Sequence, residues 1–218
     1  MINPIDFVLH FDKYLSGFVE TYGAGWVYGL LFLIIFAETG FVVTPFLPGD
    51  SLLFAAGAIA ATGALNPAMT IVLLFAAAFL GNAVNYSIGR AVGPKVFHWT
   101  DGARWSHKLL NRQHLDRAHQ FFEQYGGKAV ILGRFVPIVR TFVPFVAGAA
   151  QMSSASFVFY NFIGAAGWVV ICVGAGLAFG QFPFVRNNFS LVTIGIVAVS
   201  LIPVAVEFVR HWRAKRAA

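Results

Sequence analysis

The sequence predicts an all-α polytopic membrane protein whose core is an inverted repeat of two re-entrant helical hairpins, each followed by a transmembrane helix. Of the 218 residues, 58% are hydrophobic and 11% are charged, whereas a soluble domain carries about 25% charged residues. Two apolar segments are interrupted by prolines, and each precedes an uninterrupted apolar stretch. We expect a C-terminal transmembrane helix and interfacial amphipathic helices to complete a single membrane domain over residues 1–218.

The N-terminal part predicts an interfacial helix and the first hairpin. Residues 5–20 combine apolar and charged side chains, which favours an amphipathic helix in the membrane interface or, equally, a surface helix packed on protein. Residues 25–62 contain two apolar halves, and neither half has the roughly 20 residues needed to cross the membrane. Pro45, Pro48 and Gly49 break this segment as turn residues, so we predict a hairpin that enters and leaves on one side.

Two acids stand in the first hairpin. Asp50 precedes the apolar run that begins at Ser51. It either caps that helix or belongs to the functional site, and both roles stay open. Glu38 ends an apolar run, where a carboxylate must be protonated, paired or hydrated. We therefore assign Glu38 a functional role.

Residues 68–90 predict a transmembrane helix, and residues 95–126 a cytoplasmic amphipathic connector. The helix carries a small, polar face suited to close helix packing, made of Gly81, Asn82, Asn85 and Gly89. The connector suits either the surface of an anionic leaflet or a solvated position. Its histidines fit no zinc-ligand spacing, so we expect no metal site and no cofactor.

The second interrupted segment, residues 128–150, holds two arginines and two prolines in an apolar run. An arginine near the centre of a bilayer costs roughly 2.5–3.5 kcal/mol on insertion scales. Pro137 and Pro144 remove backbone donors that lipid cannot replace, so we predict a re-entrant hairpin that lines a polar cavity. Planar guanidinium groups suit phosphate and carboxylate. Arg134 and Arg140 therefore predict an anion site, and the alternative is that both are structural and paired with internal acids.

The chain closes with two further transmembrane helices, at residues 156–180 and 189–209, and a basic cytoplasmic tail at 210–218. Asn161, Gly164 and Trp168 lie on the first of these helices, and we assign them to helix packing. Glycine faces serve equally inside a monomer and between the subunits of a homo-oligomer, so both states stay open. The net charge of +6 comes from basic residues clustered in the predicted cytoplasmic segments, and it does not indicate nucleic-acid binding.

The two hairpins carry opposite charges. One membrane crossing separates them, so they enter the membrane from opposite sides. Glu38 and Asp50 stand in the first hairpin, and Arg134 and Arg140 in the second. If the two tips meet, the acids neutralise the arginines while the site is empty and yield them to an anion when protonated. Such a site would link transport to a supply of protons.

These motifs resemble those of the DedA family of bacterial inner-membrane proteins, which are kin of eukaryotic lipid scramblases involved in autophagy. The resemblance covers residues 25–179. It rests on Glu38, on Pro45-Phe-Leu-Pro48-Gly49-Asp50, on Arg134-Phe-Val-Pro137-Ile-Val-Arg140-Thr-Phe-Val-Pro144, and on Tyr160-Asn161 with Gly164 and Trp168. The chain departs from the family at Asn82, where many members have an acid.

The resemblance implies a flippase of the bacterial inner membrane. Its substrate would be undecaprenyl phosphate, returned to the inner leaflet for reuse in envelope synthesis, and transport would depend on the proton motive force. The residues expected to be required are Glu38, Asp50, Arg134 and Arg140. We expect a multi-pass protein with a cytoplasmic C-terminus.

Three other functions use the same residues. A polyprenyl-phosphate phosphatase would need a nucleophile or an activated water near the phosphate, but the arginine segment offers only Thr141, so we expect no catalytic residues. A proton-coupled exporter of ions or small molecules would use the two acids as a relay. A non-selective scramblase would move bulk phospholipids with several headgroups, including other anionic phospholipids, and would be indifferent to a proton gradient.

Overall fold

The computed structural model describes residues 23–41, 49–98, 112–136, 139–180 and 182. Within these residues all regular structure is helical and no strand occurs, which confirms the predicted all-α class. Several predictions lie outside the described residues: the interfacial helix at 5–20, part of the 95–126 connector (99–111), the C-terminal helix at 189–209, the tail at 210–218, and three of the breaking prolines, Pro45, Pro48 and Pro137.

Seven α-helices are described. They are α1 Ala24–Gly40, α2 Gly49–Ala61, α3 Pro67–His98, α4 Arg112–Tyr125, α5 Ala129–Leu132, α6 Val139–Ala149 and α7 Ser154–Phe179. Two 3-10 turns, Gly126–Lys128 and Gly133–Phe135, flank α5.

Two of the described helices are long and apolar enough to cross a membrane. They are Pro67–Val92 within α3 and Ser154–Phe179, each of 26 residues, or about 39 Å at 1.5 Å per residue. Both coincide with predicted transmembrane helices. The other apolar helices, α1, α2 and α6, have 17, 13 and 11 residues, fewer than the roughly 20 that a crossing requires. Whether they form re-entrant hairpins stays a prediction.

The second proline-containing segment is interrupted, as expected. Val136 is extended, with φ −106° and ψ 111°, which is the conformation favoured by a residue before a proline. Pro144 lies inside α6 and has no N–H to donate to the carbonyl of Arg140, four residues earlier. The backbone therefore leaves the helical path at Val136, two residues after Arg134, and Arg140 lies in the first turn of α6.

The chain divides into two compact units. The first contains Met1–Leu31, Pro48–Val72 and Val170–Ala218, and the second contains Phe32–Leu47 and Leu73–Val169.

In the first unit, α2 packs closely against the end of α7 through glycines. A Cβ placed on Gly57 would lie 3.0 Å from the Cα of Val173, and a Cβ on Gly176 would lie 2.9 Å from the backbone nitrogen of Ala58. Real Cβ atoms almost never approach backbone so closely, so both positions require glycine. We call this contact the α2–α7 seam.

In the second unit, α6 packs against α3 in the same way. A Cβ on Gly148 would lie 2.6 Å from the backbone nitrogen of Arg90, and a Cβ on Gly89 would lie 2.8 Å from the Cα of Phe145. We call this contact the α3–α6 seam. Tyr86 stacks on Phe157 beside it, with ring centroids 4.1 Å apart.

The connector helix α4 is attached to this second unit. Phe121 and Phe122 pack against its core of Tyr86, Phe142, Phe145, Phe157 and neighbouring aliphatic residues. These two residues of the predicted amphipathic connector are therefore partly covered by protein.

Candidate functional site

A small cavity in the second unit collects three of the four charged residues predicted to form the site. Its lining residues are Glu38, Thr39, Asn82, Arg134, Arg140, Thr141 and Trp168. The cavity volume of about 20 Å³ is enough for a water molecule or two. Asp50, the fourth residue, lies in the first turn of α2 in the other unit, where the helix dipole stabilises a carboxylate.

Glu38 and Arg140 form a buried ion pair. Arg140 Nη2 donates a hydrogen bond to Glu38 Oε1, and the two residues are 102 positions apart in the chain. The Glu38 side chain is 2% exposed and that of Arg140 is 16% exposed. A charge buried this deeply is stable only when paired. Of the three states that the sequence left open for Glu38, the structure shows pairing, with Arg140.

Arg134 is buried as well, but its partner is neutral. It stands in the second 3-10 turn and is 5% exposed. Its Nη2 donates to Asn161 Oδ1 at 2.7 Å, while its Nε has no hydrogen-bond partner among the described residues. No acidic side chain pairs with Arg134 in the described part of the chain. Its positive charge is thus uncompensated there.

A network of asparagines holds Arg134 in place. Asn161 Oδ1 also accepts a hydrogen bond from Asn82 Nδ2 at 3.1 Å, and Asn161 Nδ2 donates to the carbonyl of Phe79 at 3.0 Å. These partners determine which way the Asn161 amide points. Gly164, one turn further along α7, leaves room for the arginine, since a Cβ there would lie 3.2 Å from Arg134 Cδ and Nε.

The ring of Trp168 lies next to both arginines. The guanidinium carbons of Arg134 and Arg140 lie 5.8 and 5.7 Å from the centroid of its ring. This is within the range of a cation–π interaction, and Trp168 is itself buried. The indole therefore stabilises two like charges beside each other.

Asn85 connects the backbones next to the ion pair. Its Nδ2 donates to the carbonyl of Thr39 at 3.2 Å and to that of Thr141 at 2.8 Å. Thr39 follows Glu38 in the chain, and Thr141 follows Arg140.

The formal charge of the described site is positive, because Arg134 and Arg140 contribute +2 and Glu38 contributes −1. An arrangement with two guanidiniums on one aromatic platform suits an anion with several oxygens. In the described residues, no group of three or more His, Cys, Asp and Glu is placed to hold a metal ion.

The sequence-based reasoning missed the roles of the neutral residues at the site. Asn161, Gly164 and Trp168 were assigned to helix packing, yet all three contact Arg134. Their spacing of three, four and seven residues places them on one face of α7. An amide and an indole on the same face of an apolar helix were a signal of a buried polar partner.

The chain resembles known proteins along most of its length. The VTT domain family model matches residues 47–178. Protein DedA of Escherichia coli (strain K12) is 53% identical over 212 residues, which are 96% of this chain and 94% of that protein.

More distant relatives are also membrane proteins. Uncharacterized membrane protein Rv0364 of Mycobacterium tuberculosis (strain ATCC 25618 / H37Rv) is 39% identical over 93% of this chain and 87% of its own length. Inner membrane protein YqjA of Escherichia coli (strain K12) is 38% identical over 73% of this chain and 70% of its own length. No solved structure matches the chain.

Proposed function

The chain belongs to the DedA family of VTT-domain membrane proteins, and on that basis we propose that it translocates a lipid carrying a phosphate headgroup across the bacterial inner membrane. The expected substrate is undecaprenyl phosphate, returned to the cytoplasmic leaflet for reuse. We further propose a multi-pass topology with a cytoplasmic C-terminus, and proton coupling through Glu38.

Arg134 is the observation that carries this proposal. Among the described residues, the buried Arg134 guanidinium has an amide as its hydrogen-bond partner and an unused Nε donor, an arrangement that is unfavourable until an anion binds. The neighbouring Arg140 and the shared Trp168 ring add a second guanidinium for the same anion. A terminal phosphate carries a charge of roughly −1.5 to −2 at pH 7, which matches two arginines.

The Glu38–Arg140 pair describes the closed form of the proposed site. Arg140 is engaged by Glu38, and the cavity of about 20 Å³ is no larger than the volume of a water molecule or two. We propose that protonation of Glu38 releases Arg140 to the phosphate, while the polyprenyl tail remains in lipid. The driving protons would then be consumed at the step that opens the site.

We propose transport rather than hydrolysis. Thr39 and Thr141 supply the hydroxyl groups of the cavity lining, and the Thr39 hydroxyl already donates to the carbonyl of Ile35 at 2.8 Å. An activated nucleophile needs a base within hydrogen-bond reach, and Glu38 is engaged by Arg140.

Leaflet exchange of labelled undecaprenyl phosphate in proteoliposomes tests this function. We expect exchange with the unmodified protein, acceleration by a pH gradient, and loss of exchange in Arg134→Ala/Arg140→Ala. Arg90→Ala is the matched control, because Arg90 bonds Tyr86 and Ser154 outside the cavity. Equal exchange of a phosphodiester lipid would favour a non-selective scramblase. Ion flux without lipid exchange would contradict the proposal.

Substitution of Glu38 tests the coupling. Glu38→Gln mimics the protonated acid at every pH, so Arg140 should be available at every pH and anion affinity should lose its pH dependence. In the unmodified protein, the affinity for inorganic sulfate should rise as pH falls. Sulfate is a suitable probe because its own charge does not change near neutral pH. Titration calorimetry in detergent measures both. A pH dependence retained in Glu38→Gln would assign the coupling to another group.

A further inference from the structure

Asn85 lies at the centre of a short stripe on α3 where two other helices approach. The stripe consists of Gly81, Asn85 and Gly89, spaced four residues apart, so all three stand on one face of the helix. Asn85 is fully buried.

The two glycines bring the neighbouring helices within reach of the short asparagine side chain. A Cβ on Gly81 would lie 2.8 Å from the carbonyl oxygen of Phe36 and 3.1 Å from the nitrogen of Gly40, both on α1. A Cβ on Gly89 would lie 2.8 Å from the Cα of Phe145 on α6. The end of α1 and the middle of α6 therefore contact α3 on either side of Asn85.

The Asn85 amide bonds both helices at once. Its Nδ2 donates to the carbonyls of Thr39 on α1 and Thr141 on α6, at 3.2 and 2.8 Å. An amide nitrogen has two hydrogens, and each of these carbonyls takes one. Both partners accept only, so the NH₂ group must face them.

Stability alone does not explain this amide. Its Oδ1 is buried and accepts no hydrogen bond in the described part of the chain, and a buried acceptor without a donor is unfavourable. An aliphatic residue of similar size would avoid that cost. The two donated bonds are therefore the feature that accounts for an asparagine at this position.

We propose that Asn85 is the positioning residue that sets the distance between Glu38 and Arg140. It bonds the residue after the acid and the residue after the arginine, so it holds the two backbones together whether or not the side chains are paired. This inference rests on the proposed function. Its consequence is that protonation of Glu38 frees the Arg140 side chain without separating α1 from α6. The site would then open by a side-chain movement, and the helices would keep their contact.

Disulfide cross-linking between positions 39 and 141, the residues that Asn85 bonds, reports how far apart the two helices are and needs no lipid substrate. Cys172 is the single cysteine in the sequence, so a Cys172→Ser background with Thr39→Cys and Thr141→Cys carries one reactive pair. In purified protein we expect cross-linking to slow by roughly tenfold when Asn85→Leu is added, because loss of both bonds lets the helix ends move apart. Thr70→Val is the matched control, since Thr70 is buried on the same helix and donates to the Asn66 carbonyl at 2.9 Å.

A second variant keeps the test decisive if Asn85→Leu fails to fold. Asn85→Asp has nearly the same shape, but its ionised form cannot donate and its protonated form donates once. With the same added oxidant at each pH, the cross-linking rate relative to the Asn85 parent should be low at neutral pH and partly recover in acid; the ratio is needed because acid lowers the thiolate fraction in both proteins. Unchanged cross-linking in both Asn85 variants, relative to Thr70→Val, would overturn the proposal even if lipid transport were lost. Absence of transport in the unmodified protein would contradict the proposed function and leave this measurement valid.

Discussion

The α2–α7 seam and the α3–α6 seam are built from the same sequence pattern, and they differ in what stands beside them. Phe-Ala-Ala-Gly-Ala occupies 54–58 in α2, and Phe-Val-Ala-Gly-Ala occupies 145–149 in α6. Gly57 packs on Val173 and Gly176 on Phe54, just as Gly148 packs on Tyr86 and Gly89 on Phe145. Helices α2 and α6, which stand in the two predicted hairpins, thus each pack on the long helix from the other half of the sequence, as an internal repeat would require.

The chemistry is not repeated. Five and four positions before the phenylalanine, α6 has Arg140 and Thr141, whereas α2 has Gly49 and Asp50. The two acids of the first predicted hairpin are also divided, since Glu38 lies in the unit with both arginines and Asp50 in the other. The two seams therefore share a packing scheme, while the second unit contains the Glu38–Arg140 ion pair and an arginine, Arg134, that pairs with no acid among the described residues.

The largest effect is expected at Arg140, which differs from its counterpart in the shared pattern, Gly49. Arg140→Lys keeps the charge but loses the planar fork that binds two oxygens at once. We expect transport to fall by roughly 100-fold, the equivalent of about 3 kcal/mol for charged hydrogen bonds.

Leaflet exchange of labelled undecaprenyl phosphate checks this loss, and Arg90→Lys is the control. A fully active Arg140→Lys variant would contradict the proposal that the guanidinium of Arg140 binds the phosphate.

The second prediction tests the similarity of the seams. Gly57→Ala and Gly148→Ala each push a Cβ into backbone, and overpacking costs about 1–3 kcal/mol. Both variants should therefore lose stability by comparable amounts in thermal unfolding in detergent.

Gly174→Ala is the control for the seam variants, because nothing lies within 4 Å of a Cβ at that position. Alanine there should stabilise by about 0.5–1 kcal/mol. Tolerance of alanine at one seam and not at the other would break the equivalence.

The sequence was informative where a residue type is energetically unfavourable in its own segment of the chain. Arginines and prolines in an apolar run can be explained in few ways, so Arg134, Arg140 and the interruption before Pro144 were identified without coordinates. The two long helices followed from their length and hydropathy. The pairing of Glu38 with Arg140 could be anticipated only as one option, because it joins residues 102 positions apart.

The neutral part of the site could not be predicted for a related reason. Asn161 and Trp168 have ordinary roles in helix packing, and only the position of the Arg134 side chain gives them another. The same holds for Asn85, whose two acceptors are backbone carbonyls of other helices. A sequence does not display which carbonyls an amide will reach.

The third prediction concerns the aromatic platform. Trp168→Leu removes the ring face shared by both guanidiniums, and a desolvated cation–π contact contributes up to about 2 kcal/mol. We expect affinity for a short-chain polyprenyl phosphate to fall by roughly tenfold in titration calorimetry. Trp168→Phe keeps an aromatic face and should recover part of the affinity. Equal losses in both variants would indicate that the indole acts by its volume alone.

The smallest expected effect lies at Gly164, where the two nearest atoms belong to a side chain and the backbone contact, with the Cα of Ile131, is looser at 3.3 Å. A Cβ there would lie 3.2 Å from Arg134 Cδ and Nε, and a flexible side chain yields a few tenths of an ångström more readily than a backbone does. Gly164→Ala should therefore lower phosphate affinity only about threefold, less than 1 kcal/mol. Gly167→Ala, with nothing within 4 Å on the same helix, should gain the same helix stability and leave affinity unchanged. Equal affinities in the two variants would mean that the glycine is not needed for the placement of Arg134.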